Sequence, residues 1–200
     1  MNINIKNGIR VALLMAVAAV SFSCSSEFTQ NAAPVELVAS NTQDLQIIDL
    51  AGDPVGEENC ERDIGQVALR AIVKNAIEGA DQRFNDVKIS RYRVSYVRND
   101  GGSLVPAPFV RSVDLLVPAG GGATALQNFV VFQADAVRQQ PFVSLLPQNG
   151  GRDPETGRQI VRMDVIMDFF GETLAGSNVA GRTRFTLDFC YDCGGCAPKE

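Results

Sequence analysis

Histidine and tryptophan are absent from the 200-residue sequence, and the missing imidazole restricts the possible chemistry most. Ser-His-Asp and Cys-His catalysis both need an imidazole to accept the proton of the nucleophile. Zincin motifs and three-histidine zinc sites need it as a metal ligand. Catalysis by carboxylates alone stays open, but no spacing singles out two of the Asp and Glu residues. We therefore expect a protein that is not an enzyme and that uses no cofactor.

Positive charge is also in short supply. The chain has 18 Lys and Arg against 23 Asp and Glu, which gives a net charge of −5. It has no basic stripe able to neutralise a phosphate backbone, so we do not expect nucleic acid as a partner. The glycine triplet at residues 120–122 lacks the Gly-Lys-Ser/Thr ending of a phosphate-binding loop and predicts an ordinary flexible loop.

Residues 1–23 have the charge and hydropathy pattern of a secretory signal peptide. Lys6 and Arg10 precede an apolar run at residues 11–20. A transmembrane helix needs roughly 20 apolar residues, so this run fits an export signal that is later removed, with a buried N-terminal helix as the alternative. Removal would leave about 175 residues, enough for one domain and a tether. It would also take away two cationic residues and no acidic one, so the net charge of −5 would become about −7.

A cysteine follows the apolar run directly. Residues 21–24 read Ser-Phe-Ser-Cys, and this segment resembles the lipobox of bacterial lipoproteins. The resemblance implies acylation of Cys24, whose acyl chains would hold the protein in a lipid bilayer. Residues 24–33 then form a lipidated polar tether. Ser25, rather than Asp, after the acylated cysteine implies sorting to the outer membrane, facing the periplasm or the cell surface.

Strand signals dominate the rest of the chain, because apolar and polar side chains alternate with a period of two. The predicted strands are 35–39, 45–50, 66–74 (with helix as a minority alternative), 87–98, 113–117, 129–133, 161–169 and 185–189. Residues 34–59 are predicted as edge strands and a loop, and residues 60–200 as the main domain with a cysteine-rich tail. Residues 134–140 predict one or two helical turns. The expected fold is an all-β, two-sheet β-sandwich, most readily with immunoglobulin-like topology.

The alternation is clearest in the last two strands. Val161, Met163, Val165, Met167 and Phe169 share one face. Arg162, Asp164 and Asp168 lie on the other face. This pattern predicts a sheet with one buried and one wet face.

The strand predicted at 87–98 contains a break in its alternation. The apolar residues change from odd to even positions: Val87 and Ile89, then Tyr92, Val94 and Tyr96. Because neighbouring side chains point to opposite faces, both groups reach one core only with a one-residue offset near Ser90 and Arg91. We predict a β-bulge or a switch between sheets at that point.

Two loops are candidates for binding. Residues 99–108 begin with Asn-Asp-Gly-Gly, a hairpin turn signal, and contain Pro106 and Pro108, which cannot donate to a sheet ladder. Residues 147–158 are dense in Gly, Pro, Asn and Asp and predict a surface loop. Such loops often carry function, so we expect an envelope protein or a glycan to bind here. Asp153 and Glu155 match no calcium-loop spacing, which favours a solvated loop over a calcium site.

Four cysteines remain besides Cys24: Cys60, Cys190, Cys193 and Cys196. In an oxidising compartment an even count indicates two disulfides, with three possible connectivities. We favour a bond from Cys60 to Cys190 or Cys193, because Cys60 precedes an early strand and Cys190 ends the last one. The alternatives are a four-thiolate metal site and a redox-active pair at Cys193 and Cys196. We expect disulfides and no bound metal, and keep a metal-binding or redox protein as the second hypothesis.

Three segments resemble uncharacterised bacterial lipoproteins with a β-sandwich domain. They are 91–102 (RYRVSYVRNDGG), 169–179 (FFGETLAGSNV) and 185–189 (FTLDF). The resemblance spans about residues 65–189 and implies a fold and a location, without any catalytic residue. It leads us to expect a membrane-anchored bacterial lipoprotein whose β-sandwich domain has a binding or structural role.

Overall fold

The computed structural model describes residues 33–41, 46–51, 66–76, 81–127 and 129–193. The predicted signal peptide, Cys24, the tether up to residue 32, Cys60 and Cys196 lie outside the described residues. Within these ranges the chain forms eight strands: β1 (Val35–Asn41), β2 (Gln46–Asp49), β3 (Val67–Val73), β4 (Val87–Arg98), β5 (Phe109–Val117), β6 (Thr124–Leu126), β7 (Ile160–Thr173) and β8 (Asn178–Cys190).

The strands form two sheets, as predicted. One sheet has the antiparallel order β1-β3-β6, and the other has the order β2-β8-β7-β4-β5, in which only β2 runs parallel to its neighbour. The chain is therefore an all-β, two-sheet sandwich. The strand order matches the immunoglobulin-like arrangement. In one sheet, β8, β7, β4 and β5 take the places of strands G, F, C and C′. In the facing sheet, β1, β3 and β6 take the places of strands A, B and E. Strands β1 and β2 each lie at the edge of a different sheet.

The core lies between the two sheets. All five apolar residues on the inner face of β7, Val161 to Phe169, are fully buried, which confirms the predicted alternation. Full burial of such side chains contributes about 1.5–3 kcal/mol each. The two sheets approach closely where β1 passes β8 at Gly181. A Cβ at Gly181 would lie 2.8 Å from the carbonyl oxygen of Leu37, so only glycine allows this contact.

The predicted bulge in β4 is confirmed. The pairing register shifts between Ile89 and Arg91 toward both neighbouring strands, β5 and β7. The offset brings the apolar residues on both sides of it into one core, and all five of them are buried. The switch of the apolar residues from odd to even positions is therefore caused by a β-bulge.

The prediction of a strand at 129–133 is wrong. Phe129 and Val131 are buried, but the described backbone from 129 to 133 pairs with no strand. Its carbonyls bond to side chains instead: Tyr92 donates to Val130 O at 3.3 Å and Tyr96 donates to Val131 O at 2.7 Å. The apolar pattern indicated burial correctly, but the backbone partners are tyrosine hydroxyls.

Other boundaries also differ from the predictions. Strand β5 begins at Phe109, four residues before the predicted start, and the short strand β6 was not predicted. The predicted helical turns are confirmed as a 3₁₀ helix, Ala134–Arg138, which is followed by the short helix α1 (Phe142–Leu145). Strands β7 and β8 are longer than the predicted segments 161–169 and 185–189.

Strand β4 connects two opposite ends of the sandwich. It begins at Val87, which pairs with Val117 and Thr173, and it ends at Arg98, opposite Met163. We call the end of the sandwich at Val87 the near end and the end at Arg98 the far end. The near end is formed by residues 81–86, 118–121 and 174–177, and the far end by residues 99–108, 147–158 and 191–193.

Candidate functional site

Arg98 is the centre of the far end. It is the last residue of β4, and its side chain is only 1 % exposed. The guanidinium donates through Nε and Nη2 to Asp100 at 2.7 and 2.8 Å. It donates through Nη2 to Asp153 Oδ2 at 2.8 Å. Because the two carboxylates are 3 % and 0 % exposed, this is a fully desolvated ion cluster.

Two glycines after β4, Gly101 and Gly102, allow the Arg98 side chain to be buried. Gly101 has a φ of 99°, the left-handed region that glycine adopts without strain. A Cβ on Gly102 would lie 2.4 Å from the Arg98 Cζ, so a larger residue would displace the guanidinium. The Asn-Asp-Gly-Gly signal therefore does form a turn. Its residues pack around the end of β4, and a longer loop follows before β5.

Hydrogen bonds join the two loops that the sequence singled out. The Glu155 carboxylate accepts the backbone N–H groups of Ser103 and Leu104, at 2.7 and 2.8 Å, and also the Ser103 hydroxyl. Asp153 additionally accepts the N–H and the hydroxyl of Thr156, at 3.0 and 2.6 Å. Residues 98–108 and 147–158 thus form one unit, which we call the loop platform.

The loop platform presents an apolar pair to solvent. Leu104 and Val105 are each 38 % exposed, while the next residue, Pro106, is buried. The pair lies directly beside the hydrogen bonds to Glu155, so its backbone is held in place. An exposed apolar pair on a fixed loop is a suitable contact for a partner, because little conformational entropy is lost on binding.

The carboxylates of the platform are held in their charged forms. Burial alone would raise the pKa of Asp100, but hydrogen bonds from Arg98 and from two backbone N–H groups outweigh it and lower the pKa to about 2. In Asp153 burial is likewise outweighed by Arg98 and Thr156, which lower its pKa. The N–H of Leu104 and the Ser103 side chain lower the pKa of Glu155.

The two acids weighed above as calcium ligands have other partners. The Asp153 oxygens accept bonds from Arg98 and Thr156, and the Glu155 oxygens accept bonds from the loop that contains Ser103. In the described parts of the chain, no three potential metal-ligating side chains are grouped together. The pattern of acids at 153 and 155 thus serves to join the two loops.

The disulfide pairing differs from the favoured one. The structure joins Cys190 to Cys193, with their Cα atoms 6.0 Å apart, so the expected bond from Cys60 to either of them is not formed. The pairing of Cys193 with Cys196 is excluded in the same state. The reason is a reversal of the chain after β8: Asp49 accepts the N–H groups of Asp192 and Cys193, at 2.9 and 3.0 Å, which turns Cys193 back toward Cys190.

Sequence reasoning placed Arg162 on the outer face of the five-stranded sheet but missed the ion pairs that arginines form across that face. The carboxylates of Asp164, Asp168 and Asp188 on this face are only 1–8 % exposed, because arginine side chains that are 37–58 % exposed lie over them. The predicted wet face is therefore an ion-paired surface, which we call the arginine ladder. Its pairs are Arg93 and Arg182 with Asp168, Arg184 with Asp164, and Arg162 with Asp188. The available signal was arginine at alternate strand positions opposite aspartate.

No family model matches the chain, and the searches of curated proteins and of solved structures found no match. No helix in the described part of the chain is both long and apolar enough to cross a membrane. The β-sandwich implied by the resemblance to bacterial lipoproteins is present in the structure. The lipoprotein identity implied by the same resemblance stays a prediction.

Proposed function

We propose that this chain is an outer-membrane lipoprotein whose β-sandwich domain binds an envelope protein through the loop platform, without catalysing a reaction. The observation that carries the proposal is the exposed pair Leu104 and Val105 on a loop that the buried Arg98 cluster holds in place. Apolar side chains surrounded by polar groups are typical of the energetically important centre of a protein interface. A protein partner therefore suits the platform better than a glycan.

The membrane attachment rests on the N-terminal sequence. Residues 1–23 have the features of a signal peptide, Cys24 follows at the lipobox position, and Ser25 suits outer-membrane sorting. Acylated Cys24 would attach the domain to the bilayer and leave the platform available to a neighbour. The absence of histidine argues against hydrolysis by a Ser-His-Asp or Cys-His site.

Site-specific photo-crosslinking in intact cells would test the binding role. A photoreactive amino acid at Leu104 is compared with one at Val38, which is on the other sheet and equally exposed, at 38 %. We expect a discrete protein adduct from position 104 and none from position 38, and loss of the adduct when Val105→Ser is added. The same adducts from both positions would contradict the proposal, and a protease-resistant, sugar-containing adduct at 104 would identify a glycan instead.

The anchor has its own test. The intact mass of the mature protein should equal residues 24–200 plus acyl chains, and Cys24→Ser should move the protein out of the membrane fraction. A mature protein that begins elsewhere, or one without acyl mass, would refute the lipoprotein assignment.

A metal or redox protein that uses Cys60, Cys190, Cys193 and Cys196 is the second candidate. The Cys190–Cys193 bond favours its redox form, because it joins a buried Cys190 to an exposed Cys193 in a Cys-x-x-Cys spacing. Reduction would consume two electrons and two protons from a dithiol reductant. Intact mass with and without reduction, together with metal analysis, separates the cases. Two stable disulfides without metal would leave only the binding role.

A further inference from the structure

We propose that the near end of the sandwich docks on the bilayer that holds acylated Cys24, with Phe84 and Leu174 inserted among the lipid headgroups. The loop platform at the far end then points away from the membrane, toward a partner. This inference rests on the proposed lipid anchor, but it concerns a different surface of the domain.

Two exposed apolar residues lie on neighbouring, hydrogen-bonded backbone segments at the near end. Phe84 is 71 % exposed, the most exposed large apolar residue in the described parts of the chain, and Leu174 is 55 % exposed. Their backbones are joined, because Ala175 N–H donates to Phe84 O at 3.1 Å and Leu174 N–H donates to Asp86 O at 2.9 Å. Neither side chain contributes to the core. An apolar pair that protrudes from a rigid end is suited to insertion at a membrane interface.

The chain enters the domain at the same end. Pro34 O accepts the N–H of Lys74 at 3.0 Å, close to where β3 ends. The bonds that connect β3 to the near end are Gly120 N–H to Ala71 O at 3.1 Å and Ala119 N–H to Asp86 Oδ1 at 2.8 Å. Ala33, the first described residue, is buried against this part of the core. The chain therefore enters the domain at the same end as the apolar pair.

The length of the tether restricts the orientation of the domain. Nine residue steps separate Cys24 from Ala33, a span of about 30 Å at full extension and about 16 Å for a flexible chain. The sandwich is longer than this, because the 14 residues of β7 extend over about 45 Å. If the far end rested on the membrane with the strands upright, the tether could not reach the bilayer. With the near end toward the bilayer, the short tether keeps the apolar pair at a high local concentration next to the lipid.

Charge plays a minor part in this contact. The exposed ion pairs in and beside the near end combine opposite charges: Arg83 pairs with Asp81 at 2.7 Å, and Lys88, in the adjoining part of β4, pairs with Asp114 of β5 at 3.5 Å. The patch thus offers no strong excess of positive charge to anionic lipids. Insertion of the apolar pair should therefore depend little on salt.

Fluorescence quenching in vesicles tests the orientation, because the chain has no tryptophan and each variant introduces a single one, whose emission can be excited apart from that of the three tyrosines. Acylated mature protein with Phe84→Trp or Leu104→Trp is reconstituted in phosphatidylethanolamine and phosphatidylglycerol vesicles, with and without brominated acyl chains. We expect a blue-shifted Phe84→Trp emission that the brominated lipids quench at least threefold more strongly than that of Leu104→Trp. The difference should persist in 0.5 M salt, an ionic strength that screens charges beyond roughly 5 Å.

Leu174→Trp provides a second position at the near end and should reproduce the result if Phe84→Trp does not fold. Equal, weak quenching at positions 84 and 104 would show that the domain moves freely on its tether, and stronger quenching at 104 would show the opposite orientation. Either result overturns this inference while the proposed anchor stands. If the wild-type protein does not float with the vesicles, the anchor itself fails and the docking fails with it.

Discussion

Strand β4 carries two ion networks that use the same chemistry in different surroundings. At its end, Arg98 is 1 % exposed and contacts carboxylates that are 3 % and 0 % exposed. In its middle, Arg93 is 37 % exposed and shares Asp168 with Arg182, which is 56 % exposed. Breaking a fully buried pair leaves a charge that water cannot reach, whereas a half-exposed arginine that loses its partner is rehydrated. The free energy of unfolding should therefore fall further when the buried network is broken than when the half-exposed network is broken.

The two networks also organise different parts of the molecule. The Arg98 cluster connects loops that are 55 residues apart in sequence and so determines the shape of the loop platform. The arginine ladder connects neighbouring strands whose backbones are already paired. The cluster thus specifies a conformation, while the ladder covers a sheet that would form without it.

The largest effect is expected for Arg98→Met, because it leaves Asp100 and Asp153 buried without their cation. The free energy of unfolding, measured by urea denaturation, should fall by about 3–5 kcal/mol. Arg184→Met, on the arginine ladder, is the matched control. A loss of under about 1 kcal/mol for Arg98→Met would contradict the view that the buried cluster is the costlier one to break.

Acid should weaken the buried cluster next most. The folded pKa of Asp100 is lowered to about 2 and that of Asp153 is also lowered, so both stabilise the fold above the unfolded pKa, near pH 4. This stability is lost as pH falls from about 4 toward 2, and Asp100 alone accounts for about 2 kcal/mol. Urea denaturation across this range should show the decline. If Arg98→Met shows the same slope as the wild type, the cluster is not its source.

Asp168→Asn should have an intermediate effect, because its carboxylate is 1 % exposed and bonds to both Arg93 and Arg182. The amide keeps some hydrogen bonds, and both arginines can be rehydrated, so we expect a loss of about 1–2 kcal/mol. The same urea experiment measures it. A loss equal to that of Arg98→Met would remove the distinction between the two networks.

The smallest effect is expected for Arg184→Gln. Its guanidinium is 58 % exposed, and its partner Asp164 keeps bonds from Thr186 at 2.7 Å and Asn99 at 2.9 Å. Such surface pairs contribute about 0–1 kcal/mol. Thermal unfolding in low and high salt would check this, with little change expected in either. A loss of several kcal/mol would show that the arginine ladder acts as a cooperative network.

Periodicity predicted the fold well wherever alternation has a single explanation. In β4 the change of parity near Ser90 and Arg91 identified the bulge, because only an offset brings both apolar groups to one core. The same reasoning failed at 129–133, where burial was correct but the backbone carbonyls bond to tyrosine hydroxyls. Alternation of apolar and polar residues predicts which side chains are buried. It does not predict which groups form hydrogen bonds with the backbone.

The sequence predicted the loops of the candidate site but not the contacts between them. The loops 99–108 and 147–158 were identified by their turn residues, but their connection through Arg98 and Glu155 was not. Arg98 continues the even, core-facing positions of β4, but a charged residue at the end of a strand is ordinarily exposed, so its burial was not predicted. Its burial depends on the carboxylate of a distant loop.

The sequence by itself determined the strand pattern, the sandwich, the bulge and the position of the end loops, because these follow from local alternation and turn chemistry. Only the tertiary structure decided the partners of Arg98 and of Cys190. Asp153 lies 55 residues beyond Arg98, and the turn that brings Cys193 to Cys190 is held by Asp49 of an early strand. Such contacts depend on the distances that folding creates between remote segments, and no local pattern of residues specifies those distances.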